Sequence, residues 1–162
     1  MKGELFSQPL VMIFALVVLA LILLFGIRSF TDIKEAADDV ELVNFVRILQ
    51  DEVKRYYQFD VGSSKKLALF APSQAQQLCF YDPLRAVNIP LDTFTKTTMQ
   101  ATNYNLYFLP LDAYQKTAFT IVHTKNNDVN NPFCIPQTNG RFLFLIATKA
   151  EAHTTYVGVQ RE

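Results

Sequence analysis

Two cysteines, Cys79 and Cys134, are the residues whose chemistry is most readily specified. Each sits in a strand-like apolar context, Leu-Cys-Phe-Tyr and Phe-Cys-Ile. They are not a CxxC redox motif, and read as a disulfide formed in an oxidising compartment, the other reading being two buried thiols. Closing so long a loop would stabilise the fold by roughly 4 kcal/mol in the chain-entropy model. The two histidines, His123 and His153, have no cysteine or acid at ligand spacing, so they are expected to be partly exposed sheet residues rather than metal ligands. Asp38, Asp39 and Glu41 cluster in sequence, but on a helix they spread over different faces and read as solvated surface. Tyr56, Tyr57 and Phe59 are expected to wedge a helix against a sheet. The chain has no phosphate-binding glycine loop, dinucleotide fingerprint, zinc-protease motif or serine nucleophile elbow. No catalytic residue, cofactor or metal is therefore expected.

The element that dominates the chain is apolar. From Leu10 to Ile27 it reads LVMIFALVVLALILLFGI, 18 residues without a charge. As a helix this is ~27 Å long, close to the ~30 Å hydrocarbon core of a bilayer. Pro9 falls in the first turn, where a missing N–H costs nothing. The run ends in Phe25-Gly26-Ile27-Arg28, unlike the small-residue cleavage site of a secretory signal. It reads as a retained transmembrane helix at 10–27, preceded by a short tail at 1–9.

A helical stem is expected at 28–60. No proline or glycine occurs between Arg28 and Tyr57, and Leu42, Val46, Leu49, Val53 and Tyr56 recur at four- and three-residue spacing as one packing stripe. Lys34/Asp38, Arg47/Asp51 and Asp51/Arg55 stand at i,i+4 and add a few tenths of a kcal/mol each. Anchor and stem together predict one nearly continuous helix over 10–57, a rod of roughly 70 Å. Val61-Gly62-Ser63-Ser64 ends it. The stripe is expected to be covered by the chain's own sheet.

Beyond it, 61–162 reads as a small antiparallel β-rich domain. Strands are expected at Lys66–Ala71, Gln77–Tyr81, Tyr104–Leu109, Ala118–His123 and Thr154–Val159. Phe133–Pro136 and Arg141–Ala147 flank Asn139-Gly140 and read as a hairpin, since both turn residues accept positive φ. Thr93–Thr102 is either strand or loop, and Thr124–Asn131 a polar loop. The fold class is thus α+β, a long N-terminal transmembrane and amphipathic helix followed by a small antiparallel sheet.

The net charge is zero, but residues 31–60 hold eight acids against four bases and 61–162 nine bases against six acids. An acidic stem and a mildly basic head could attract each other within one molecule or between neighbours. No basic patch with interleaved aromatics marks a nucleic-acid surface. Positive residues are nearly balanced across the apolar helix; the short tail, long folded part and paired cysteines favour a cytoplasmic N-terminus and an extracytoplasmic C-terminal domain.

A short charged N-terminus, an apolar segment, its amphipathic extension and a β-rich head resemble the layout of type IV pilins and their archaeal relatives. The chain also resembles a group of uncharacterised archaeal single-pass membrane proteins, through Phe6-Ser7-Gln8-Pro9, Gly62-Ser63-Ser64-Lys65-Lys66, Cys79-Phe80-Tyr81-Asp82 and Pro132-Phe133-Cys134-Ile135 before Asn139-Gly140. Pilins are cut after a glycine and usually carry a glutamate five residues later. Here a cut after Lys2-Gly3 would make Glu4 the first mature residue, and 10–27 hold no acid. The resemblance implies architecture and assembly rather than catalysis. The expected role is that of a membrane-anchored cell-envelope protein with a structural or interaction function. Its partners would be the lipid bilayer and either itself or another envelope protein. A subunit of an extracellular filament is the alternative, and an enzyme with its site in the β domain a third.

Overall fold

The structure, a computed structural model, describes residues 7–114, 116–151 and 154–161. Lys2-Gly3, Glu4, Phe6 and His153 lie outside them, so the processing and His153 expectations are not addressed by it. The chain is α+β: an N-terminal helix bearing the apolar stretch Val11–Phe30, then sheets that are mainly antiparallel. It divides into two compact units, the second beginning at Asp38.

Helix α1 runs unbroken over Ser7–Tyr57. Without glycine or proline after Gly26 nothing interrupts its hydrogen-bond ladder, and Lys54 and Arg55 complement the dipole in its last turn. Gly62 then takes a φ of 98°, which only glycine adopts without strain.

The strands of the second unit are β1 (Ser64–Phe70), β2 (Gln77–Phe80), β3 (Leu106–Leu109), β4 (Ala118–Phe119), β5 (Thr124–Asn126), β6 (Phe133–Pro136), β7 (Arg141–Glu151) and β8 (Thr154–Gln160). They form two four-stranded sheets rather than one, ordered β1-β7-β8-β5 and β4-β3-β2-β6. The shared core lies between them and the distal half of α1. Leu42, Phe45, Leu49 and Val53 meet Leu78, Phe80, Leu106, Phe108, Phe133 and Ile135 from one sheet and Phe142, Phe144, Ile146, Val157 and Val159 from the other. Phe45 joins the layers, its ring edge-on to Phe108 at 5.4 Å and to Phe142 at 5.9 Å. Alternation sends Cys79, Tyr107 and Cys134 to the opposite face of the β4-β3-β2-β6 sheet, where Met99 of helix α2 (Thr93–Ala101) covers them.

Several elements differ from expectation. Thr93–Thr102 is neither strand nor loop but largely α2, nucleated by Asp92, whose Oδ1 accepts from Thr95 N at 2.9 Å. Thr97, Thr98 and Thr102 each donate to the carbonyl four residues back, which satisfies hydroxyls that sequence alone suggests for a strand. Asn139 and Gly140 take positive φ, 50° and 72°, as expected of a tight turn. Yet β6 pairs with β2 and β7 with β1 and β8, so the turn connects two sheets instead of making a hairpin. The strand expected over Ala118–His123 stops at Phe119, because the Asn105 amide takes over the ladder, accepting from Ile121 N at 2.7 Å and donating to Ile121 O at 2.9 Å. Part of the expected 124–131 loop is β5, paired parallel to β8.

Candidate functional site

The stem stripe, the cysteines and the aromatic cluster singled out from the sequence each have a definite place. Leu42, Leu49 and Val53 are essentially fully buried, and Val46 and Tyr56 are partly buried against the same core. Phe45, which the four-and-three spacing omits, is buried with them. Cys79 and Cys134 are register partners across β2 and β6, Cα atoms 4.0 Å apart and sulfurs at disulfide distance. Tyr56 packs edge-on to Phe59 at 5.0 Å, while Tyr57 stacks on His123 at 3.9 Å.

The acidic cluster divides. Asp38 is not solvated surface: it is 9 % exposed and accepts from Ser73 Oγ at 2.8 Å and from Gln74 Nε2. Glu41 accepts from Ser73 N at 3.1 Å, so two acids of α1 hold the β1–β2 turn. Further along the helix Arg47 donates to Asn44, and Glu52 reaches out of the helix to Lys65 at 2.8 Å. These contacts are structural, and the stripe and acids together position the sheets.

The arrangement with most chemical content is a cleft of about 600 Å³ where the end of β2 approaches β5 and β8. Its walls include Tyr81, Asp82, Asn105, Thr124, Lys125 and Tyr156. The 121–123 segment that leads into β5 is held by side chains as well as by the backbone bond from Val157 N to His123 O at 2.8 Å. Gln50 of α1 accepts from Val122 N at 2.9 Å, Asn105 grips Ile121, and His123, at φ 63°, lies on Tyr57.

Behind the Asp82 wall stands Asn131, 0 % exposed. Its amide accepts from Asp82 N at 2.9 Å and donates to Asp82 O at 2.9 Å and Arg85 O at 2.8 Å. Arg85 in turn donates to the carbonyls of Asp128 at 2.8 Å and Val129 at 2.9 Å. The two loops are thereby locked into one body.

Asp82 Oδ1 accepts from Leu84 N, whereas Oδ2, like Thr124 Oγ1, is buried and has no hydrogen-bond partner among the described residues. Lys125 pairs with Glu151 at 2.6 Å and lies 5.3 Å from the Tyr156 ring centroid. The contact raises the Lys125 ammonium above its ordinary 10.5 and lowers Glu151 below 4.5, chiefly through the hydrogen bond between them. Among the described residues no group of three or more His, Cys, Asp and Glu comes together as a metal site.

The sequence singled out three of the cleft's polar residues, His123 as a sheet residue and Tyr81 and Asp82 within a resemblance, but none of them as part of a site. Asp82-Pro83 carries the signal of a turn and Thr124–Asn131 that of a polar loop, and only the fold brings them face to face. Comparison with protein-family models, curated proteins and solved structures finds no match to this chain.

Proposed function

We propose that the chain is a membrane-anchored cell-envelope protein, N-terminus cytoplasmic and second unit extracytoplasmic, with a structural or interaction role and no catalytic activity. The observation that carries this reading is the helical stretch Val11–Phe30, 20 residues long and apolar enough to span a membrane, with none of its side chains buried. Such a surface is costly in water, whereas a bilayer covers it. The cysteine pair at disulfide distance supports an oxidising side for the second unit. Alkaline extraction of membranes, followed by protease treatment of intact cells, tests the reading. The chain should stay with the membrane while its second unit is digested from outside. Release into the alkaline supernatant would remove the anchor, and digestion only after lysis would reverse the orientation.

A second reading is a filament subunit. It is favoured by Val40 and Val43, 69 % and 58 % exposed on α1 within the second unit, an apolar surface that none of the described residues buries. Mass spectrometry of the mature N-terminus separates the two, a cut after Gly3 favouring the filament.

A further inference from the structure

We propose that the cleft between Asp82 and Tyr156 is a binding site for a neutral, hydroxyl-rich ligand, a mono- or disaccharide. The inference concerns the second unit and does not depend on the membrane reading. At about 600 Å³ the cleft lies within the ~300–1,000 Å³ of small-molecule sites.

Its charges select the ligand class. Glu151 pairs with Lys125 at 2.6 Å, and Asp82 adds a second carboxylate whose field also reaches the Lys125 ammonium, with His123 as the remaining titratable group of the lining. An anion is repelled by Asp82 and Glu151 and finds in Lys125 an ammonium already paired. A cation competes with Lys125, which already stands over the Tyr156 ring. A saccharide meets neither objection. Its hydroxyls both donate and accept, and its C–H face suits the tyrosine ring.

The wall is also short of donors. Asp82 is 5 % exposed, and among the described residues neither its Oδ2 nor Thr124 Oγ1 has a hydrogen-bond partner. A ligand hydroxyl is the donor Oδ2 lacks, and it can serve Thr124 in either sense. Both atoms are screened from solvent, so binding includes a small shift of the side chains covering them. That cost places the dissociation constant on the order of 1 mM.

The test is saturation-transfer NMR on the full chain in lipid nanodiscs free of sugar-headed detergent. The probes are maltose, cellobiose, D-mannose and N-acetylglucosamine, each titrated from about 0.1 to 20 mM so that the dissociation constant is read from the build-up of transfer. Ethylammonium and acetate are the charged comparisons. At least one saccharide should show transfer. Asp82→Asn, which keeps the side chain's shape and presents an N–H donor to replace Oδ2, should weaken it about tenfold or more. Tyr156→Ala, made in parallel in case the first variant fails to fold, should weaken it about fivefold. Thermal melts establish which variants are folded. Silence from every saccharide on folded wild-type protein overturns the proposal, as does transfer confined to ethylammonium or acetate, or full saccharide transfer in either folded variant.

Discussion

Asn131 uses both ends of its side-chain amide inside the protein, accepting from Asp82 N and donating to the carbonyls of Asp82 and Arg85. Asn131→Asp changes almost no volume but turns the donor into an oxygen facing those carbonyls. With the site fully buried, a loss of about 3 kcal/mol is expected in denaturant unfolding. A cost within experimental error would show that the two loops are held by other contacts. Asp92 acts at the exposed start of α2, where the Thr95 side chain and then its N–H hold the carboxyl below 3.8. A carboxyl depressed in the folded state stabilises above its unfolded value and loses that contribution as pH falls through its folded one. Asp92→Ala should therefore lower the melting temperature at pH 7, with the difference from wild type closing below about pH 3.8. A gap that stays constant down to pH 2 would leave the effect to helix propensity rather than to the charged cap.

At the scale of elements, the distal half of α1 is the piece on which both sheets close. Leu49 is 0 % exposed at the centre of that contact. Leu49→Asp puts an unpaired carboxylate there and should cost about 4 kcal/mol or more, unfolding the second unit. If the melting transition is unchanged while an oligomer becomes a folded monomer, the stripe is an intermolecular surface. The helix was legible in the sequence because its signals are local: no proline or glycine after Gly26 and a repeating apolar stripe. Phe45 was passed over although it stands three residues after Leu42 and four before Leu49, on the same helix face, and its two partner rings, Phe108 and Phe142, show it within the core. Strands β1, β2, β3, β6, β7 and β8 were legible from apolar runs and flanking turns. Pairing was not, because Asn139-Gly140 specifies a reversal of the chain but not which sheet each arm joins. The cleft escaped notice for the same reason. Its polar residues come from β5, the end of β7, β8 and the segments that flank β2 and β3, and no local period announces that they meet.

At the scale of the whole molecule, the Cys79–Cys134 pair bears on both stability and compartment. The two residues are 55 apart in sequence, and the segment between them carries α2, β3, β4, β5 and both loops that Asn131 locks. Cross-linking a loop of that length removes chain entropy from the unfolded state, about 4 kcal/mol in the loop-closure model. Cys79→Ser with Cys134→Ser should then lower the melting temperature of the second unit by about 10–15 °C. Both sulfurs lie on the sheet face covered by Met99, so the serine hydroxyls would add some burial cost to the entropic term. Reduction of the unaltered protein separates the two effects, because it opens the loop without introducing hydroxyls. A smaller fall on reduction than in the double variant is expected, with most of the loss common to both. Alkylation supplies the independent measurement: denatured, unreduced protein taken directly from cells should leave both thiols unmodified, and reduction should expose the pair together. Complete alkylation before reduction would mean free thiols in the cell, and the support that the pair lends to an extracytoplasmic second unit would be withdrawn.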